Sequence, residues 1–126
     1  MHFRHIYDFW NCFYQVRESG KINYNDRQRN EVLEHDKFEM KNAFNSILKK
    51  TDSILFEEIT FVDDLIDSSN KMKIKSNTNR ELVFLYEHTI HHIYIIRMVM
   101  NSLNIEVEDD YIGYNLSTIK NIECVS

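Results

Sequence analysis

Proline is absent from this sequence and glycine occurs only twice, as Gly20 and Gly113. A β-sandwich or barrel needs a turn signal every 8–12 residues or so, which this chain does not supply. Long helices joined by few tight turns fit better, and an all-α fold is the expectation. Gly-rich phosphate loops are excluded, because neither a GxGxxG nor a Walker pattern can be written with these two glycines. Cysteine is equally scarce. Cys12 and Cys124 lie far apart with no CxxC, and read as reduced thiols of a cytoplasmic protein.

Long apolar runs are missing too: none approaches the roughly 18 residues that span a bilayer. The opening Met-His-Phe-Arg-His carries no basic region, apolar stretch or cleavage site of a secretion signal. A basic excess is also lacking. The net charge of −5 speaks against a general nucleic-acid binder, which carries a basic stripe. What remains is a chain of 126 residues, 43% of them hydrophobic, enough for one core without disulfides and too apolar for disorder. A single domain over 1–126 is expected.

Helical periodicity runs from Met1 to about Ser19, where Phe9, Cys12, Phe13 and Val16 recur with Ile6, His2 and His5 on or beside their stripe. Phe3, Tyr7, Trp10 and Tyr14 widen the apolar surface, and Gly20 suits a C′ position. Lys21 to about His35 is polar and without period, and reads as a long connection. Asp36 caps a second helix to about Lys50, with Phe38, Phe44, Ile47 and Leu48 inward. Ile54 to Ser76 reads as a helix tail followed by a short β-hairpin over about 59–76, where Ile59, Phe61 and Leu65 meet Met72-Lys73-Ile74-Lys75 across a turn near Asp67 to Asn70. Thr78-Asn79-Arg80-Glu81 reads as a capping box opening a helix to about Ser102 or Leu103. That helix is apolar nearly all round and is expected to be central and buried. Asn104 to Ser126 reads as irregular structure with a turn of helix around Ser117 to Ile122.

Six histidines are present, and five lie on two of these helices. His88 and His92 are one turn apart, so their rings share a face and can converge on one ion. HxxxH alone is a common accident. Here, though, the pair lies within the stripe of Leu85, Ile95, Ile96 and Val99, where an unsatisfied polar group costs about 1–3 kcal/mol. The rings therefore need partners, either carboxylates and carbonyls or a metal. A third inward histidine on the first helix, His2 or His5, favours the metal, and geometry leaves that choice open. His91 borders the stripe, and His35 is expected to be exposed.

Four ordered motifs then resemble the DinB/YfiT-like proteins, in particular a bacterial branch with an HTIHH helix. They are His88-Thr89-Ile90-His91-His92, His2-Phe3-Arg4-His5-Ile6-Tyr7-Asp8, the loop Ile22-Asn23-Tyr24-Asn25-Asp26-Arg27-Gln28-Arg29 with Glu34 and Asp36, and Gly113-Tyr114-Asn115-Leu116-Ser117-Thr118-Ile119. The resemblance implies an up-and-down four-helix bundle in which three histidines hold a divalent metal, zinc or nickel. Carried over, the ligands are His5, His88 and His92, since the family's first ligand directly precedes an aliphatic residue, here Ile6. The family's first helix has no counterpart before His5, so a chain N-terminally truncated relative to the family is expected. Such a remnant exposes the Phe3/Trp10/Tyr14 flank unless an oligomer, simplest as a homodimer, covers it. The family's closing proline is also missing near Asn115.

The function that follows is a metal-dependent enzyme. A three-histidine ion with an open position lowers the pKa of bound water to about 7 or binds a thiolate, suiting hydrolysis or S-transfer. Its partners would be a small-molecule substrate and a low-molecular-weight thiol, with no nucleic acid and no membrane. Tyr24, Asp26, Arg27 and Arg29 could rim the pocket and hold an anionic substrate, or pair among themselves and brace the fold; His2 and His91 stand near the ligands. The rival readings are a non-catalytic, stress-associated metal-binding protein and a degenerate fragment. No Ser-His-Asp or Cys-His arrangement is legible, so no protein nucleophile is expected.

Overall fold

The computed structural model describes residues 1–15, 19–51, 54–64, 69 and 71–125. The first helix, α1 (His2–Gln15), buries Ile6, Cys12 and Phe13, and with them the charged Arg4 and Asp8. Those two charges survive burial because they are paired. Arg4 Nη1 donates to Asp8 Oδ2 at 2.6 Å and Arg4 Nε to Glu34 Oε1 at 2.7 Å. The second bond ties α1 to the short helix α2 (Val32–His35). Val16 lies outside the described residues, and Gly20 just beyond takes φ +65°, a conformation that favours glycine.

The stretch expected to be a plain connection holds more structure than its composition suggests. It contains strand β1 (Lys21–Ile22), a single 3₁₀ turn at Tyr24–Asp26, and α2. Helix α3 (Lys37–Thr51) follows, capped by Asp36, whose Oδ1 accepts from the N–H groups of Phe38 at 2.8 Å and Glu39 at 3.1 Å. Of its four expected inward residues only Ile47 is buried; Phe38 and Leu48 stand 70% and 65% exposed, so the apolar face of α3 is narrower than its sequence implied.

Strands β2 (Glu58–Asp63) and β3 (Met72–Asn77) form an antiparallel hairpin. Residue Leu65 and, apart from Ser69, the turn expected at Asp67 to Asn70 lie outside the described residues. On the other edge β1 pairs parallel with β2, Lys21 opposite Thr60 and Ile22 opposite Phe61. The sheet order β1-β2-β3 overturns the all-α expectation. The fold is mixed α/β, rich in helix. A two-residue strand has no periodicity to read; it exists because β2 supplies its hydrogen bonds, which makes it a tertiary feature.

β3 runs directly into α4 (Thr78–Ser102). The helix is capped one residue earlier than the sequence pattern suggested. Asn77, at φ −152° and ψ 167°, accepts from Arg80 N–H at 3.0 Å. Thr78 is buried and its hydroxyl oxygen accepts instead from Glu57 N–H at 3.1 Å, while Glu81 is drawn inward by partners on other elements. α1 lies antiparallel to α4, with His2 beside His92, His5 beside His88 and Phe9 beside Phe84. It runs parallel to α3, with Tyr7 against Phe44 and the Tyr14 hydroxyl 2.6 Å from Thr51 Oγ1. Trp10 Nε1 donates to Thr89 Oγ1 at 2.9 Å, so Trp10 and Tyr14 are half-buried, whereas Phe3 remains 51% exposed.

The core gathers where these helices meet the sheet: Cys12, Phe13, Ile22, Tyr24, Ile59 and Leu85. α4 is buried only near its start, at Thr78, Glu81 and Leu85, which corrects its expected burial throughout. The reason is length. At 1.5 Å per residue α4 spans about 37 Å and α1 about 21 Å, so beyond His92 the long helix runs past its neighbour and leaves Met98, Val99 and Leu103 exposed. Gly113, at φ +82°, lies against the backbone of α4 there; a Cβ on it would come within 2.7 Å of Tyr94 N. The final helix is α5 (Leu116–Val125), longer than the single turn expected. Among the described residues no helix is long and apolar enough to cross a membrane.

Candidate metal centre

Antiparallel packing of α1 on α4 places His5 over the gap between His88 and His92. The result is a three-way convergence of ring nitrogens. His88 Nε2 lies 3.3 Å from His5 Nε2 and 3.2 Å from His92 Nε2. One nitrogen from each of the three residues lies within 4.8 Å of the others, and the group could hold a metal ion. Two nitrogens bound at about 2.0–2.1 Å to one tetrahedral ion stand about 3.3 Å apart, so the spacing suits a shared ion. It suits hydrogen bonding less well, because Nε2 of a neutral His88 has one proton or one lone pair to offer and faces two ring nitrogens.

The surroundings keep these rings neutral. His5 is pushed down from the ordinary 6.5 to about 4 by burial, then by His92, His88, Arg27 and Arg4. His88 is lowered to about 4 by burial, then by His92, His91 and Arg27, and His92 is lowered by burial, His91 and His2. Neutral imidazole is the form that ligates a metal. The sign for stability follows. Between about pH 6.5 and 4 the unfolded metal-free chain binds more protons at these positions than the folded one, so stability falls as pH drops through that window and levels off below it. Denaturant midpoints of the metal-free chain at pH 7.5, 5.5 and 4.5, taken against a His5→Phe/His88→Leu control that retains His92, should show a larger loss in the parent than in the control. An equal pH response in the control would remove the histidines as its source.

Phe9 forms the wall behind the cluster. Its ring centroid is 4.1 Å from that of His88 and 4.8 Å from that of His5, and Tyr24 stacks on it at 5.2 Å with planes 15° apart. Tyr24 in turn is fixed by Glu81. Its hydroxyl donates to Glu81 Oε2 at 2.9 Å, Ser76 donates its hydroxyl to Oε1, and Arg80 Nη1 donates to Oε1 at 3.1 Å. Glu81 is wholly buried and links sheet, loop and α4 at one point. Burial, and then Glu81, raise the Tyr24 hydroxyl well above its ordinary pKa, keeping it a donor.

The structure sorts the remaining candidates. His2 is not in the converging group; its Nδ1 lies 3.1 Å from Nδ1 of His92, behind that ring. This is where a metal-bound histidine usually finds the partner that fixes its orientation. His91 is exposed, with its ring edge-on to His92 at 5.2 Å. Tyr24 is committed to Glu81, and Asp26 is exposed and accepts from Asn23 Nδ2 at 2.8 Å. Arg29 is exposed, while Arg27 is half-buried beside Phe9. Phe9 and Glu81 were not singled out for the site from sequence. Phe9 has a signal in hindsight, lying four residues after His5 on the same face; Glu81 has none, since it fits a capping pattern equally well.

No family model, curated protein or solved structure matches this chain.

Proposed function

We propose that this chain is a metal-dependent enzyme related to the DinB/YfiT-like proteins, with zinc or nickel held by His5, His88 and His92. The observation that carries the reading is the convergence of three Nε2-bearing rings from two helices, with His88 Nε2 3.2–3.3 Å from both others. Three imidazoles suit zinc and nickel, and a three-ligand set leaves a coordination position open. The kinship rests on these histidines and their motifs, since the sheet is no part of the bundle that the resemblance implied. When bound, such an ion supplies Lewis-acid chemistry toward water or a thiol, suiting hydrolysis or S-transfer of a small molecule.

The chain's own residues do the rest. Phe9 and Phe84 shield one side of His88 from water, their centroids 4.1 Å and 5.8 Å from its ring. Trp10, bonded to Thr89, locks α1 against α4 in the register that brings His5 onto His88. The test is metal analysis of protein purified without chelator or added metal. One equivalent of zinc or nickel per chain is expected, removable by chelator and restored on reloading. Substoichiometric metal, with no uptake on reloading, would sink the assignment. A second reading, that the ion only braces the fold, is favoured by its position between α1 and α4. It wins if chelation lowers the melting temperature while the loaded protein turns over neither ester nor thiol-acceptor substrates.

A further inference from the structure

Among the described residues three buried side-chain atoms lack a hydrogen-bond partner, Asp8 Oδ1, His88 Nδ1 and Arg27 Nε, and of these Arg27 alone belongs to the rim of Tyr24, Asp26, Arg27 and Arg29. Its Nη1 donates to the Tyr24 carbonyl at 2.8 Å, which anchors one arm of the guanidinium. Its Nε is buried and has no hydrogen-bond partner among the described residues. No carboxylate among them lies within ion-pairing distance of Arg27 either; Glu34 and Oδ2 of Asp8 pair with Arg4, Oδ1 of Asp8 is buried without a partner, and Asp8 acts on Arg27 only at longer range. A half-buried arginine with no contact ion pair and no partner for its Nε–H is costly, because the buried donor has given up water without gaining a bond in exchange. The chain tolerates it one ring away from the histidines. The guanidinium carbon is 4.6 Å from the Phe9 centroid, and the same ring touches His88 at 4.1 Å and His5 at 4.8 Å. The charge of Arg27 is felt at both histidines, where it helps to lower their proton affinity.

We infer that Arg27 is the anion-recognition residue of this site and that the substrate carries a carboxylate beside its reacting group. With Nη1 committed to Tyr24, the Nε edge of the fork is left, and that edge offers two parallel N–H groups. Two parallel donors match the two oxygens of a carboxylate, giving a short charge-assisted pair. The reacting end of the same molecule then reaches toward the histidine nitrogens across the Phe9 ring. This assignment rests on the metal reading above and names the class of substrate for it: a small monocarboxylate bearing a group that can approach the ion.

Cobalt-loaded protein separates the two readings. Cobalt in a three-histidine site gives visible bands, and a thiolate bound to it adds a sulfur-to-metal charge-transfer band, so ligand binding is read without turnover. The probes are mercaptoacetate, which carries thiol and carboxylate, and mercaptoethanol, which carries the thiol alone. Wild-type protein should bind mercaptoacetate at least roughly tenfold tighter than mercaptoethanol, the worth of one charge-assisted pair. Arg27→Gln should collapse that ratio to about one, and Arg27→Lys, which keeps charge and most of the packing on Phe9 but not the fork, should fall between. Dividing the affinities within each protein cancels any shared loss of metal affinity or fold. An unchanged ratio in Arg27→Gln, or no preference in wild type, overturns the role of Arg27 and leaves the metal reading standing. Absence of cobalt bands in wild type overturns both.

Discussion

Metal binding is expected to disappear in His88→Ala. His88 is the central member of the trio, its Nε2 being the atom within 3.3 Å of both other nitrogens. Its removal leaves His5 and His92 on opposite sides of an empty position with a two-nitrogen set. A residue that only orients a ligand is worth about 10–100-fold in metal affinity, so losing the central ligand should cost more than roughly 100-fold. Competition with a chromophoric chelator measures this directly. His2→Ala, which removes the contact to His92 Nδ1, should cost within that 10–100-fold range. His91→Ala, at an exposed ring, should cost little. Wild-type affinity in His88→Ala, or a larger loss in His91→Ala than in His88→Ala, would mean that the metal sits elsewhere.

The second large effect is on stability. Glu81→Ala should lower the unfolding free energy by roughly 2–4 kcal/mol, because two buried or half-buried hydroxyls, those of Tyr24 and Ser76, lose their acceptor. Arg80 contributes less to the loss. Its side chain is 60% exposed and returns to water when the carboxylate goes. Against a total of about 5–15 kcal/mol for a domain, this is a severe change. Tyr24→Phe should cost less, about 1–2 kcal/mol, since the carboxylate keeps Ser76 and Arg80. In the double variant the two losses should not add, as both remove the same bond. Urea unfolding with an unchanged slope gives these values. A shift below about 0.5 kcal/mol for Glu81→Ala, the range of ordinary surface substitutions, would show that the carboxylate is not the anchor described.

The two halves of the site were unequally legible in the sequence. His88 and His92 followed from helical spacing and from their place in an apolar stripe. The third member of the trio did not: geometry left His2 and His5 open, and the resemblance chose His5. The structure shows why the choice was close. Both rings reach His92, but His5 turns its Nε2 toward the cluster while His2 meets His92 from behind, through Nδ1. Spacing along a helix fixes which face a side chain leaves from, not which nitrogen it presents.

Errors about the fold arose where tertiary partners outweighed local pattern. Thr78 and Glu81 satisfy the letter of a capping box, yet Glu57 claims the threonine, and Tyr24 and Ser76 claim the glutamate. α4 carries apolar residues on nearly every face, which implied full burial, but no periodicity tells how far its neighbours extend. The all-α expectation failed at Lys21–Ile22, where a strand of two residues is defined wholly by Thr60 and Phe61. Arg27 was named with Tyr24, Asp26 and Arg29 as one rim. Their separation into a brace, two exposed residues and one under-bonded cation depends on distances that composition does not encode.

That short parallel strand also bears on the order in which the site can assemble. His88 and His92 are neighbours on a single helix, and their relation exists as soon as that helix forms. Tyr24 and Arg27 follow β1 closely in the chain, and β1 meets β2 only after a closure spanning α2 and α3. Such non-local pairings carry a loop-closure entropy that local helix contacts do not. Only the His88–His92 pair is thus low in contact order; His5 joins it across 83 residues, and the loop of Tyr24 and Arg27 is fixed by the closure of β1 onto β2, so parts of one site carry different debts to the folded topology.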